Sequence, residues 1–61
     1  MVDIVEGGEG GWAIRIRGIA VAMLPSLEQA KFRTKFLVNP KKQKEVNVHN
    51  KDGQIIEIIR Y

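Results

Sequence analysis

Apolar and polar residues alternate most cleanly at Trp12-Ala13-Ile14-Arg15-Ile16-Arg17. Trp12, Ile14 and Ile16 fall on one face there, and Ala13, Arg15 and Arg17 on the other. A period of two over six residues predicts a half-buried strand. Val2-Asp3-Ile4-Val5 predicts a shorter strand before it. Gly7-Gly8-Glu9-Gly10-Gly11, with four glycines in five residues, predicts a flexible turn between the two. Gly18 interrupts the alternation as a turn or bulge. Ile19 to Met23 can continue as a further strand, which Pro25 ends.

After Pro25 the period changes. Ser26 is a helix N-cap and Gln29, three residues on, completes a capping box. The predicted helix runs from Leu27 to about Val38 and is stopped by Asn39-Pro40. At about 100° per residue, Leu27, Ala30, Thr34, Leu37 and Val38 form its core stripe. Phe32 and Phe36 lie nearly opposite that stripe, one turn apart, among basic neighbours.

The last segment returns to strands. Glu45-Val46-Asn47-Val48-His49 and Gln54 to Tyr61 flank Asn50-Lys51-Asp52-Gly53, which suits a type I turn. A turn of that length sets Val48 beside Ile55, Val46 beside Glu57, Asn47 beside Ile56 and Glu45 beside Ile58. Val46, Val48, Ile55, Ile59 and Tyr61 then cover the helix, while Ile56 and Ile58 turn outward with His49, Asn47 and Glu45. A slip of one residue would exchange the two faces.

This order resembles a family of small bacterial domains known as domain of unknown function 2188. The likeness rests on Gly11-Trp12, on Ser26 opening a helix that bears Ala30, on Val46-Asn47-Val48-His49 with Asp52-Gly53 and Ile55, and on the terminal Tyr61. Thr34 and Val38 stand where that family commonly has small alanines, and the stretch between the tryptophan strand and the helix is shorter. The resemblance implies a compact β-β-α-β-β domain and no particular activity. Pattern and resemblance together predict an α+β fold, with a small single-layer antiparallel sheet packed on one helix in the order β-β(-β)-α-β-β. Residues 1–61 form one domain.

Composition narrows the function classes. Sixty-one residues bury only about 60% of the surface their unfolded chain exposes, and a core of this size supplies roughly 3–5 kcal/mol. No cysteine is present to form a disulfide or a thiolate zinc site, which leaves oligomerisation as the remaining staple. Nothing reads as a signal peptide or a membrane span, so a soluble cytoplasmic protein without membrane association is expected. The net charge of +3 is unevenly spread: the first nine residues carry only acidic charge. Lys31, Arg33, Lys35, Lys41, Lys42 and Lys44 follow one another with no acidic residue between them. Such a run is either a solvated face or a footprint for an anionic partner.

Candidate chemistry is sparse. His49 is the sole histidine and has no clustered ligands, so it reads as a strand-end residue that orders the turn through Asp52 or the loop backbone. Asp52 reads as a turn residue that accepts backbone N–H groups. Ser26 is taken by the helix cap and Thr34 by the core, which leaves no nucleophile beside a base. Glu45 and Glu57 face opposite sides of the hairpin. The glycine-rich loop leads into a strand, not into the helix N-terminus that a phosphate cradle requires. Trp12 reads as a plug between sheet and helix, with nucleotide stacking as the sharper alternative.

The expectation is therefore a non-enzymatic interaction module without metal or cofactor that self-associates. Its interface lies at Phe32 and Phe36 or at Ile56 and Ile58, because exposed apolar side chains forgo about 1.5–3 kcal/mol each. Covering of Phe36 by the N-terminal strand, or a rotated helix, would remove the first of these surfaces. The alternatives are two. One is DNA or RNA binding through Arg15, Arg17, Lys31, Lys35, Lys41, Lys42 and Lys44, with an affinity that falls steeply with salt. The other is a phage-type or auxiliary inhibitor of a host protein.

Overall fold

A computed structural model describes all residues 1–61. The chain runs β1 (Val2–Glu6), β2 (Trp12–Ile16), β3 (Ile19–Leu24), α1 (Leu27–Thr34), β4 (Glu45–His49) and β5 (Ile55–Arg60). The expected α+β order, with three strands ahead of one helix, is the observed one. The five strands form one sheet in the order β3-β2-β1-β4-β5. Three pairings are antiparallel, as expected, but β1 and β4 run parallel, so the sheet is mixed. The parallel pairing follows from the connection. β4 enters after a crossover through α1 and lands beside β1, beyond two intervening strands, instead of beside β3.

The core lies under the three central strands. Ile4 of β1, Ile14 of β2, and Val46 and Val48 of β4 are fully buried, with Val2 nearly so; neither edge strand contributes a fully buried side chain. Ala30 and Thr34 face them from α1, and Val38 from the turn that follows. Ala30 brings the helix close to the sheet, and the Thr34 hydroxyl donates to the Ala30 carbonyl at 2.7 Å, which leaves no buried polar atom unpaired. Trp12, Ile16, Leu24, Leu27 and Ile59 pack around this centre. Trp12 thus sits between sheet and helix, as its alternation predicts.

The turns explain most of the register. Arg17 (φ 55°) and Gly18 (φ 81°) form a two-residue loop of type I′ character between Ile16 and Ile19. A bulge then places Val21 as an extra residue between Ala20, opposite Arg15, and Ala22, opposite Ile14. In the C-terminal hairpin, Gly53 N–H donates to the Asn50 carbonyl, as a type I turn requires. Gly53 adopts φ 86°, and Asn50 N–H then donates to the Gln54 carbonyl.

That added residue, with a bulge near Ile56, shifts the pairing by two from the expected one. Val48 faces Glu57, Val46 faces Ile59, Asn47 faces Ile58 and Glu45 faces Arg60. The shift by two preserves the faces of Ile58 and Ile59. The bulge takes Ile55 out of the core: Ile55 pairs with outward-facing His49 and is exposed, as is Tyr61.

The helix is shorter than its pattern suggests. Ser26 caps it as expected, its hydroxyl accepting the Gln29 N–H at 3.2 Å. It ends at Thr34 because Phe36 and Leu37 N–H donate to Arg33 and Thr34 carbonyls, three residues back, and tighten the last turn. The tightening carries Leu37 out to solvent while Val38 stays in the core, so Leu37 leaves the expected stripe.

One side chain reinforces the sheet where backbone pairing ends. The Gln43 Oε1 accepts the Val2 N–H at 2.9 Å, and its Nε2 donates to the carbonyls of Val2 and Glu45 at 2.8 Å each. The amide thereby extends the β1–β4 contact beyond the pairs Ile4–Val48 and Val5–His49. Gln43→Ala is expected to lower unfolding stability in urea by about 1–3 kcal/mol, because part-buried backbone groups lose their partners. Lys41→Ala on the same loop should stay within about 0.5 kcal/mol. Equal small effects from both substitutions would remove the clamp's role.

Candidate interaction surfaces

The outer side of α1 carries the first surface. Phe32 and Phe36 are 61% and 69% exposed, with ring centroids 5.3 Å apart and planes at 72°, an edge-to-face pair. The Lys35 ammonium lies 5.1 Å from the Phe32 ring centroid. The N-terminal strand does not fold over Phe36. Phe32 also borders an open groove of about 420 Å³ shared with Leu24, Glu28, Gln29 and Arg33, which joins this helix flank to the end of β3.

The second surface is the sheet face turned away from the helix. Its centre is polar. Asp3 and Arg15 are paired across β1 and β2, and the guanidinium donates twice to the carboxylate, at 2.9 Å and 2.7 Å. This hydrogen bond, with the carboxylate charge behind it, raises the Arg15 pKa above its ordinary value. His49 Nε2 stands 3.6 Å from the same carboxylate. The expected partner of His49, Asp52, is therefore replaced by Asp3, because the β1–β4 pairing sets His49 beside Val5. Asn50 fulfils the turn role expected of Asp52, its side-chain oxygen accepting N–H groups from Asp52 and Gln54. Ile58, opposite Asn47, and Ile55, opposite His49, lie at the β5 side of this face, and Ile56 is the extra residue of the bulge between them; all three are about half exposed.

The seven cations of the possible nucleic-acid surface do not share one face. Arg15 is paired to Asp3 on the open sheet face. Lys31 Nζ sits 2.7 Å from Glu57 on the helix side, a hydrogen bond that raises its pKa. Arg17 occupies the β2–β3 turn and Lys35 covers Phe32. Lys41, Lys42 and Lys44 precede β4, and the last two border an open cleft of about 390 Å³ with Glu45 and Arg60, which pair with each other at 2.8 Å. Phosphate contacts from one groove thus have at most three neighbouring lysines to draw on.

Two elements of these surfaces escape the alternation pattern. β3 is an edge strand with no charged residue, Ile19-Ala20-Val21-Ala22-Met23-Leu24, and Ile19, Val21 and Met23 are all more than half exposed. Its composition shows at once in the sequence; its place at the edge does not. Gln43 gave no signal, since a loop glutamine has no distinguishing pattern.

No three histidine, aspartate or glutamate side chains converge as metal ligands, and no helix is long and apolar enough to cross a membrane. Comparison with family models, curated proteins and solved structures finds no match to the chain.

The Asp3–Arg15 pair is bidentate but partly solvated, its side chains 25% and 35% exposed. A double-mutant cycle with Asp3→Asn and Arg15→Gln is expected to give a coupling of about 0.5–1 kcal/mol, the upper range for such pairs. A coupling indistinguishable from zero would show that the pair is geometry without stabilisation.

Proposed function

We propose that the protein is a non-enzymatic interaction module that self-associates. One observation carries this reading. Eleven large apolar side chains are exposed, whereas the core holds seven apolar residues. Scattered apolar residues are normal on a surface, but these concentrate on the helix flank, on β3 and on β5. A core this small supplies little stability, and association with a second copy adds burial that the monomer lacks.

Self-association is favoured over phosphate binding on electrostatic grounds. Arg15 and Lys31, two of the seven candidate cations, already face carboxylates, and they lie on opposite sides of the sheet. A catalytic reading has no supporting constellation: His49 meets Asp3, and no hydroxyl lies among its hydrogen-bond or ion-pair partners.

Sedimentation equilibrium across about 1 μM to 1 mM is expected to show a monomer–dimer or higher equilibrium, the range that separates specific from negligible association. The thermal midpoint should rise with protein concentration over the same range. A protein that stays monomeric at about 1 mM, with a concentration-independent midpoint, overturns the proposal.

A further inference from the structure

We infer that the second copy docks on the β3 edge, extending the sheet across a two-fold axis, with the Phe32 flank of α1 packing over the junction. The inference rests on the self-association proposed above and names its surface.

An edge strand presents unpaired N–H and C=O groups, and proteins usually protect it with lysine, proline, a bulge or a covering element. The two edges of this sheet differ in that respect. β5 carries Glu57 and Arg60, each held in an ion pair. β3 carries no charge in six residues; its protections are the bulge at Val21 and Pro25 just beyond its end. A two-fold pairing sets the same strand against itself, so any charge on it risks meeting its own copy. An uncharged strand has no such conflict.

The helix side supplies the rest of the contact. Ile19 pairs with Ile16, whose side chain packs on the helix-covered core, and is itself 69% exposed. Antiparallel pairing brings the start of one β3 toward the end of the other. Ile19 of one copy then approaches the groove that Leu24 and Phe32 line on the second. Counted over both faces of the edge, with Met23 on the open side, the exposed parts of Ile19, Val21, Met23 and Phe32 offer roughly 400–500 Å² per copy. Two copies reach roughly 800–1,000 Å², the size of a weak, concentration-dependent interface.

The open sheet face is the weaker rival. Stacking two copies face to face would remove water from Asp3, Arg15 and His49 at its centre, and desolvating ions costs several kcal/mol each. Edge pairing leaves that cluster in solvent.

The test compares wild type with Val21→Lys/Met23→Lys and with Ile56→Lys/Ile58→Lys by sedimentation equilibrium. All four positions are about half exposed or more, so the charges need not unfold the monomer. The β3 variant is expected to raise the dimer dissociation constant at least about hundredfold, and the β5 variant less than about threefold. Amide hydrogen exchange on wild type at low and high concentration gives a readout free of substitution. New protection within Ile19–Leu24 at high concentration is expected. A wild type that dimerises with neither effect overturns the β3 assignment while self-association stands. A wild type that never dimerises overturns both.

Discussion

The rest of the structure depends on the parallel pairing of β1 with β4. It is the only strand pairing that joins the N-terminal meander β3-β2-β1 to the C-terminal hairpin β4-β5. Its backbone register covers just Ile4–Val48 and Val5–His49. Everything else at that seam comes from side chains: the Gln43 amide beside Val2, the Glu6 carboxylate accepting the Lys51 N–H at 3.2 Å, and His49 near Asp3. Ile4, Val46 and Val48 are fully buried at this seam in the centre of the sheet, and Ile14 beside it on β2. Separated, neither half could bury them.

A central seam has a cost at the periphery. One helix of eight residues cannot cover five strands, so the apolar side chains of the outer strands remain in solvent. A helix this short is itself marginal without tertiary contacts and depends on the docking of Ala30 and Thr34. The Lys31–Glu57 pair ties it to β5 across the core, but an ion pair with both side chains about a third or more exposed contributes little. Burial under the centre therefore carries the stability, and the uncovered edges are the surfaces that the proposed association would use.

Much of this was legible residue by residue. The alternation at Trp12–Arg17, the Ser26 cap, the outward Phe32 and Phe36 and the turn at Asn50–Gly53 are local features, and local features appear in the structure where the pattern puts them. What failed was decided by single extra residues. Gly53 at φ 86° and the bulge near Ile56 moved the hairpin register by two and exposed Ile55. The tightened turn after Thr34 did the same to Leu37. The partners of His49 and Arg15 depended on which strand lies beside β1, and no sequence spacing encodes that.

The two faces of the sheet and its two edges are then chemically distinct for one reason. Charges in the strands meet partners on a neighbouring strand or on the helix: Asp3 with Arg15 and Glu45 with Arg60 between strands, Glu57 with Lys31 of α1. Each pair marks a surface where close apolar packing would require desolvation, and so makes that surface a poor site for a second molecule. β3 is the one strand left out of this arrangement. Only Ala22 and Leu24 of its six residues pack against the core, and none is fully buried. An uncharged edge in so small a protein is better explained by what it meets outside the monomer than by what it does within.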